Sequence, residues 1–510
     1  MRSSVAWVWL VAGGAGLTSL GMETVWIRVA SFARGNTPQT FGLVLGLFLV
    51  GIVIGAMWGK RLTQGAAHEQ QLKANAAYLL LLTGLMDALS PYLVAEWGET
   101  IWTFPLMALL IVWSAASKAT VFPIVHHLGS QACSSDTGRT VSRVYFSNIA
   151  GATVAPLIVG FWALDAIGAE KTMLLLGGVS IALAAVFLPY SALKRGVAAA
   201  AGFVLVLWCL VVPQRVGMLG ALIQGAENHV PAWISENRHG VVHTVADVER
   251  GEIVFGGNVY DGRLSADLVR NGNGIDRVYW LTALHSAPRR VLVVGLSGGA
   301  WTEVLRHLPG VERIDVIEIN PAYLELVRER APYREMLDDP RLSFHIDDGR
   351  RWLRQHGELR YDIIVMNTTF HWRAYITNLL SREFVAQLKT HLEPSGVLAY
   401  NSTGSPDVLA TAASVFAHAY RWSGSNFVYA SERDFREIDQ RESRGRLLAL
   451  TRAVPAMGAY SEREIEGVVG TMLSRGWIDT AKEARLSGRE LEIITDSNML
   501  TEYKFGRSAL

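Results

Sequence analysis

Hydrophobic residues form long, nearly uninterrupted stretches in the first 212 residues of the chain and short, interrupted ones in the remainder. A helix that crosses a bilayer needs about 20 apolar residues, and somewhat shorter helices are tolerated. The pattern therefore predicts a multi-pass α-helical membrane domain of about seven spans over residues 1–212. The apolar stretches are residues 5–27, 41–58, 76–94, 102–125, 145–164, 173–188 and 197–212.

Beyond residue 240 the hydrophobic runs shorten to strand length and alternate with helical patterns. Two short strands and the turn Gly256-Gly257-Asn258 predict a small N-terminal β-hairpin layer over residues 240–285. Residues 286–510 predict an α/β Rossmann-like domain, whose parallel sheet is covered on both faces. Residues 213–239 are the predicted linker. The predicted strands are 241–248, 252–255, 290–294, 314–319, 342–346, 361–366 and 396–400, and the predicted helices are 301–307, 322–330, 350–356 and 382–391.

The charge distribution agrees with this division of the chain. There are 47 Lys and Arg and 46 Asp and Glu, but only 12 of the basic and eight of the acidic residues lie in residues 1–212. A net charge of +1 with 50% hydrophobic residues excludes a disordered tail and a nucleic-acid scaffold. The two cysteines, Cys133 and Cys209, exclude a disulfide framework and a CxxC-type zinc site, and no metal is expected.

Basic residues between the predicted spans bear on the membrane topology. They occur in the second, fourth and sixth loops, which the positive-inside rule places in the cytoplasm. With seven spans the α/β domain then lies outside, whereas an eighth crossing or a miscounted span reverses this. We expect a multi-pass protein of the cell (inner) membrane and leave open the side of the α/β domain. The basic residues are Lys60, Arg61, Lys73, Arg139, Arg143, Lys194 and Arg195.

Three ionisable residues, Glu23, Asp87 and Lys118, fall inside or near the apolar stretches. Because charged groups in a bilayer are costly, they indicate either a function, such as solute transport, or a structural role. The structural role is an ion pair, such as Glu23 or Asp87 with Lys118, or snorkelling at a helix end. We favour the structural role, since two of the three lie near predicted helix ends. Gly51 and Gly55 form a GxxxG motif, which favours close helix packing within the bundle.

Three turns after predicted strands carry candidate binding residues. The glycines of residues 295–299 let backbone N–H groups approach a ligand, or serve only a tight strand–helix turn. Glu318 ends the next strand, about 20 residues on, where an acidic side chain accepts hydrogen bonds from a ribose diol. Asp347 and Asp348 precede a helix, where a carboxylate can bind an adenine amine or cap the helix. The predicted cofactor-binding residues are Gly295, Ser297, Gly298, Gly299, Glu318, Asp347 and Asp348.

Nearly the whole chain resembles the spermidine synthase (polyamine aminopropyltransferase) superfamily, and more closely its membrane-fused, spermidine-synthase-like branch. The resemblance implies that the glycine turn holds the amino-acid or aminopropyl part of S-adenosylmethionine or decarboxylated S-adenosylmethionine, used as co-substrate. It also implies that Glu318 holds the ribose and Asp348 the adenine. The residues that carry it are 20–28, 41–62, 256–260, 291–299, 316–321, 347–353, 361–367, 379–384 and 495–503.

The chain departs from this family in the loop after the fourth strand of the α/β domain. Aminopropyltransferases have an acidic loop of the type Asp-Ser-Ser-Asp-Pro there, whereas this chain has Asn367-Thr368-Thr369-Phe370-His371. The loop also resembles the Asn-Pro-Pro-Phe loop of amino-group methyltransferases, in which the Asn accepts hydrogen bonds from the target amine. Asn367, and His371 as a general base, are therefore the catalytic candidates.

Four further residues are candidates for substrate binding. Aromatic rings in this loop can attract a cationic sulfonium, and an arginine can bind a carboxylate or phosphate. Tyr260 lies where the resemblance places a hairpin glutamine of the family. The candidates are Tyr260, Phe370, Trp372 and Arg373.

Three functions remain open from the sequence. The first is a membrane-anchored transferase that moves an aminopropyl or methyl group from an S-adenosyl sulfonium to an amine. The second is a catalytically altered pseudo-transferase that acts as a membrane-bound nucleoside- or polyamine-binding or assembly protein. The third is a transporter with a regulatory domain, supported only by the intramembrane charges. The expected partners are the lipid bilayer and a small-molecule amine or polyamine, with no nucleic acid; a homodimer through the transferase domain is left open.

Overall fold

The computed structural model describes residues 3–64, 69–98, 100–131, 137–187, 202, 217–223, 230–437 and 439–507. The chain divides into two compact units, residues 1–231 with 236–241 and residues 232–235 with 242–510. The first unit contains long apolar helices and the second an α/β domain.

Within the described residues, the first unit has six helices that are long and apolar enough to cross a membrane. They correspond to the first six predicted apolar stretches. The seventh, residues 197–212, lies outside the described residues except for Gly202, so its crossing and the membrane topology stay predictions. The helices are α1 (Ser3–Ala33), α2 (Pro38–Gln64), α3 (Glu69–Trp97), α4 (Thr103–Gln131), α5 (Thr137–Ile158, continued by a π-helical turn Val159–Ala163 and by Leu164–Ala166) and α6 (Gly168–Phe187).

Glycines bring α2 and α4 into close contact. Gly51 and Gly55 are both buried on α2. A Cβ atom at Gly51 would lie only 2.7 Å from the carbonyl oxygen of Val112 on α4, so no larger residue fits without moving the helices apart. The packing interpretation of the GxxxG motif is therefore confirmed.

A buried ion pair joins α3 to α4. The Nζ atom of Lys118 lies 2.7 Å from Oδ2 of Asp87, and it also donates to Oγ of Ser114 at 2.8 Å. Both charged side chains are almost completely buried, at 1% and 2% exposure. The structure thus forms the ion pair that we predicted between Asp87 and Lys118, and not the alternative with Glu23.

The predicted hairpin layer is a four-stranded antiparallel sheet in the order β1-β2-β3-β4. Only its two middle strands were predicted. The first strand lies in the predicted linker, and the last contains Asp261 and Gly262, residue types that are rare in strands. The strands are β1 (Trp233–Asn237), β2 (Gly240–Val245), β3 (Ile253–Gly256) and β4 (Val259–Arg263).

The second sheet has eight strands in the order β12-β10-β11-β9-β8-β5-β6-β7. Neighbouring strands from β9 to β7 pair in parallel, as predicted, whereas the pairs β9–β11, β11–β10 and β10–β12 are antiparallel, so the sheet is mixed. The short connection 423–426 accounts for the antiparallel pair β10–β11, because a parallel crossover needs about a dozen residues. The strands are β5 (Arg290–Val294), β6 (Arg313–Glu318), β7 (Leu342–Ile346), β8 (Tyr361–Met366), β9 (Leu392–Asn401), β10 (His418–Trp422), β11 (Phe427–Ser431) and β12 (Trp477–Ile478).

Helices follow the strands of this sheet where the sequence predicts them. Asn320 lies just before one of them, and its Oδ1 accepts the N–H of Ala322, the first residue of that helix, at 3.0 Å. The helices are α7 (Ala300–Leu305), α8 (Ala322–Arg330), α9 (Gly349–Gln355), α10 (Arg382–Thr390), α11 (Asp407–Ala413), α12 (Gln440–Ala453), α13 (Glu462–Leu473) and α14 (Thr480–Ser487). Short helical turns cover Met218–Ala221, Asp276–Tyr279, Leu281–Leu284, Arg334–Asp338, Thr377–Leu380, Pro455–Met457 and Leu500–Tyr503.

The buried pair makes a stability prediction for the helical unit. Removing one partner leaves an uncompensated buried charge, so we expect Asp87→Ala or Lys118→Met each to destabilise this unit by about 3–5 kcal/mol. The double variant should lose less than the sum of the two. Unfolding of the full chain in detergent, followed by circular dichroism, measures this. The exposed pair Glu69–Lys73 is the matched control, and Lys73→Met should cost under about 1 kcal/mol. Additive effects of the two buried substitutions would contradict the pairing.

Candidate functional site

A cavity of about 150 Å³ lies at the carboxyl ends of β5 and β8. The strand order reverses between these two strands, and such a switch point opens a crevice that α/β sheets use for ligands. Residues of β4, of the turn after β5 and of the loop after β8 line the cavity. The predicted site residues among the lining are Tyr260, Ser297, Gly298, Gly299, Asn367 and Phe370.

The glycine turn after β5 is held tightly by its neighbours. Gly295 has a φ of +91°, and a Cβ atom there would lie 2.7 Å from the carbonyl oxygen of Asn367. A Cβ atom at Gly298 would lie 2.7 Å from a methyl carbon of Leu264. Ser297 donates from its hydroxyl to the carbonyl of Asp261 at 2.8 Å. Packing alone thus requires these glycines, and the same packing brings the turn to the cavity.

Glu318 is buried directly behind this turn. Its Oε2 accepts the N–H of Leu296 and its Oε1 accepts the N–H of Asn320, both at 2.8 Å. Burial raises the pKa of Glu318 to about 7, although these backbone N–H groups oppose the rise. The carboxylate supports the backbone on both sides of the crevice and does not itself line the cavity. Its ribose contact stays a prediction.

The two aspartates after β7 are engaged at the start of α9. Oδ1 of Asp348 accepts the N–H of Arg351 at 2.8 Å and caps the helix. Oδ1 of Asp347 accepts the N–H of Asp348 and the Nε–H of Arg351, both at 2.6 Å. Neither residue lines the cavity. The helix-capping alternative is therefore realised, and the adenine contact stays a prediction.

The loop after β8 forms the wall opposite the glycine turn. Asn367 continues the sheet, since its N–H donates to the carbonyl of Val294 at 2.8 Å, and it borders the cavity. The rings of Phe370 and Trp372 stack with centroids 5.6 Å apart, and Phe370 lines the cavity while Trp372 does not. The loop thus presents one amide and one aromatic face to a ligand.

His371 and Arg373 lie behind the cavity wall. Nδ1 of His371 lies 3.0 Å from the carbonyl oxygen of Thr403, a cavity-lining residue, and burial lowers the pKa of this histidine. Nη1 of Arg373 donates to the hydroxyl of Thr369 at 2.9 Å, and its guanidinium lies under Gly257, in the electrostatic field of Asp261. Neither side chain is in the cavity lining, so their proposed substrate contacts stay predictions.

Sequence reasoning missed several residues that line the cavity. Asp261 and Arg263 come from β4, which was not predicted as a strand, and Asn273 and Arg277 come from the segment before β5. The hydroxyl of Tyr323 donates to Oδ2 of Asp261 at 2.5 Å, and burial raises the pKa of Asp261. Their only sequence signal was their closeness to Tyr260 in the chain, because the pairing of the hairpin with the glycine turn is a long-range contact.

The C-terminal segment of the described chain supports the loop after β8. Oε2 of Glu502 accepts the N–H of Tyr375 at 3.0 Å, and Oε1 accepts the N–H of Thr377 at 2.9 Å. The guanidinium of Arg507 lies 5.2 Å from the ring centroid of Trp372. Tyr375 has a φ of +70°, which is uncommon for a residue with a side chain. The buried carboxylate of Glu502 therefore holds the loop in an unfavourable backbone conformation.

Comparison with known proteins shows which ones this chain resembles. Residues 281–414 match the family described as Spermine/spermidine synthase domain. The chain is 27% identical over 400 residues to polyamine aminopropyltransferase 2 of Streptomyces coelicolor, which covers 74% of this chain and 70% of that protein. It is 26% identical over 427 residues to the polyamine aminopropyltransferase of Mycobacterium tuberculosis, covering 79% of each chain. The resemblance inferred from the sequence is confirmed.

Two solved structures are also similar to part of this chain. A spermidine synthase in complex with the transition state analogue AdoDATO matches with a TM-score of 0.37 and 15% identity, over 48% of this chain and 88% of that one. Human methyltransferase-like protein 13 in complex with SAH matches with a TM-score of 0.29 and 22% identity, over 36% and 93%.

The raised pKa of Glu318 predicts a pH-dependent affinity for an S-adenosyl ligand. Only the ionised carboxylate accepts hydrogen bonds at both oxygens, and with a pKa of about 7 the ionised fraction rises about tenfold between pH 6 and pH 8. We therefore expect calorimetry to give an affinity up to about tenfold higher at pH 8 than at pH 6. Glu318→Gln should bind weakly with no such dependence. The same pH profile in this variant would show that another group titrates.

Glu502 makes a prediction about the loop after β8. Loss of its charge-assisted hydrogen bonds, worth about 1.5–3 kcal/mol each, should free this loop. In Glu502→Ala we expect the amides of Tyr375 and Thr377 to exchange with deuterium at least about tenfold faster. Glu490→Ala, an exposed glutamate of the same segment, is the control and should leave the exchange unchanged. Equal protection in both variants would contradict the support by Glu502.

Proposed function

We propose that the chain is a membrane-anchored transferase that alkylates an amine, because residues 281–414 match the Spermine/spermidine synthase domain and the chain resembles polyamine aminopropyltransferases over most of its length. The donor is an S-adenosyl sulfonium, either S-adenosylmethionine or its decarboxylated form. The transferred group is an aminopropyl or a methyl group. Membrane anchoring is supported by the length and composition of the six apolar helices.

One observation carries this proposal. The cavity at the switch point has the glycine turn on one wall and Asn367 with Phe370 on the other. A sulfonium donor placed with its amino-acid part at the turn has its reacting carbon in the same small space as an amine bound at Asn367. Positioning of this kind can supply a large part of the rate, because the sulfonium is already an activated leaving group.

The reaction needs a deprotonated amine aligned with the breaking bond. The amine lone pair attacks the carbon next to the sulfonium, the carbon–sulfur bond breaks, and its electron pair returns to sulfur to leave a neutral thioether. The Oδ1 atom of Asn367 accepts a hydrogen bond from the amine and orients it, while Phe370 attracts the sulfonium by a cation–π contact of about 0.5–2 kcal/mol. The surplus proton leaves from the product ammonium. His371, which lies behind the cavity wall and whose pKa is lowered by burial, is the base that we assign to this proton.

The charged residues that line the cavity indicate which kind of acceptor it can bind. The charged residues of the lining are Arg263, Arg277 and Asp261, and the carboxyl of Asp261 already accepts the hydroxyl of Tyr323. Paired carboxylates for a polycation are absent from the described lining. We therefore propose an acceptor with one reacting amine and little further positive charge.

The pseudo-transferase remains a second candidate, favoured by one specific observation. Asn367 and Phe370 stand at the two acidic positions of the family's loop, so the usual proton acceptors are missing. A protein of this kind would bind the nucleoside donor at the same turn but transfer nothing.

Product analysis of the full-length chain in detergent tests these functions. The chain is incubated with each sulfonium donor and with monoamines, diamines and amino acids, and products are identified by mass spectrometry. We expect an alkylated amine, and we expect Asn367→Ala to lower kcat by about 100-fold with donor affinity unchanged within threefold. Asn378→Ala, on an exposed residue of the same region, is the control.

The possible results separate the candidates. Donor binding without any product favours the pseudo-transferase. Binding of neither donor by a folded protein contradicts both functions.

A further inference from the structure

Arg277 lines the cavity and forms no ion pair among the described residues. Its Nη2 donates to the carbonyl oxygen of Asn273 at 3.2 Å, whereas its Nε is buried and has no hydrogen-bond partner among the described residues. Within the described part of the chain its guanidinium forms no ion pair with a carboxylate. A buried donor without a partner is costly, so its position indicates a ligand group that accepts hydrogen bonds.

The nearest acid is used elsewhere. Asp276 interacts electrostatically with Arg277, but its Oδ2 binds Nη1 of Arg475 at 2.6 Å and its Oδ1 accepts the backbone N–H of Arg277 at 2.9 Å. Arg263, the other arginine of the lining, is neutralised by Asp247 at 2.6 Å. Among the described residues, Arg277 is therefore the arginine of the cavity lining whose charge is available to a ligand.

The side chain of Arg277 is held against the element that follows the glycine turn. Its guanidinium carbon lies 5.0 Å from the ring centroid of Trp301 and 5.4 Å from that of Phe427. Trp301 is the second residue of α7 and directly follows the turn and Ala300, all of which line the same cavity. The two rings restrict the rotamers of the arginine, so its fork of N–H groups is preorganised beside the turn.

We propose that Arg277 binds a carboxylate, and that this carboxylate is the α-carboxylate of the donor. The inference rests on the proposed function and narrows it: the donor is S-adenosylmethionine and not its decarboxylated form. A planar guanidinium matches a carboxylate with two parallel hydrogen bonds. The amino-acid end of the donor is the part expected at the glycine turn, next to which Arg277 lies. Decarboxylated S-adenosylmethionine carries no anionic group for it and would leave the buried donor unsatisfied.

The consequence concerns the group that is transferred. If the amine attacks the methyl carbon, a methyl group moves and S-adenosylhomocysteine leaves. If the amine instead attacks the carbon next to sulfur in the amino-acid chain, the transferred group keeps the carboxylate and methylthioadenosine leaves. In both cases the carboxylate is still present, either on the leaving group or on the transferred group. Aminopropyl transfer differs because its donor has no carboxylate.

Calorimetry of the full chain in detergent with the two donors tests this inference. We expect S-adenosylmethionine to bind at least tenfold more tightly than decarboxylated S-adenosylmethionine. Arg277→Gln should reduce this preference to less than threefold without weakening the decarboxylated donor, and Arg277→Lys, which keeps the charge, should retain part of it. Arg289→Gln, an exposed arginine on the surface, is the matched control and should keep the full preference.

Each outcome decides between the inference and the proposed function. Equal affinity of both donors for the unaltered chain overturns the carboxylate site but leaves the transferase intact. A preference that survives Arg277→Gln overturns the assignment to Arg277. Failure of both donors to bind overturns the proposed function itself. A melting temperature of Arg277→Gln within a few degrees of the unaltered chain verifies that the variant is folded.

Discussion

The close approach of β5 and β8 is the constraint on which the candidate site depends. At the carboxyl ends of the strands the N–H of Asn367 reaches the carbonyl of Val294, and Gly295 leaves just enough room for the carbonyl of Asn367. Any side chain at Gly295 would push the two strand ends apart. Because of this contact, the glycine turn and the loop after β8 face each other across one cavity and do not form two separate surfaces.

Buried polar groups around the turn are almost all satisfied within the protein. Glu318 accepts backbone N–H groups, Asp261 accepts the hydroxyl of Tyr323, and the hydroxyl of Ser297 binds the carbonyl of Asp261. A structure in which these acids are already occupied has little negative charge left for a cationic substrate. The Nε atoms of Arg277 and Arg373 are buried without a hydrogen-bond partner among the described residues, and Arg277 is the one of the two that lines the cavity; its charge is of the opposite sign.

The sequence revealed the parts of the fold whose signals are local. Periodicity was enough for α1 to α6 and for the parallel strands. It did not reveal β1 and β4, whose residues are poor strand formers held by their neighbours, nor the antiparallel part of the large sheet. The positions of the glycine turn at the cavity and of Glu318 behind it follow from their place after strands, while their roles toward a ligand stay predictions. Arg277 and Glu502 could not be predicted, because each acts on residues that only the folded sheet brings near.

The support of the loop after β8 by Glu502 has a consequence for the order of folding. The two hydrogen bonds of this carboxylate close contacts over 127 and 125 residues of chain. Closing so long a loop costs conformational entropy before these hydrogen bonds can form. Contacts of this kind therefore develop late on a folding pathway. The parallel strands can therefore assemble into a sheet, with its glycine turn and Asn367 in place, before Tyr375 and Thr377 acquire a fixed position. The far end of the loop after β8 would then be the last part of this region to become ordered during the maturation of each molecule.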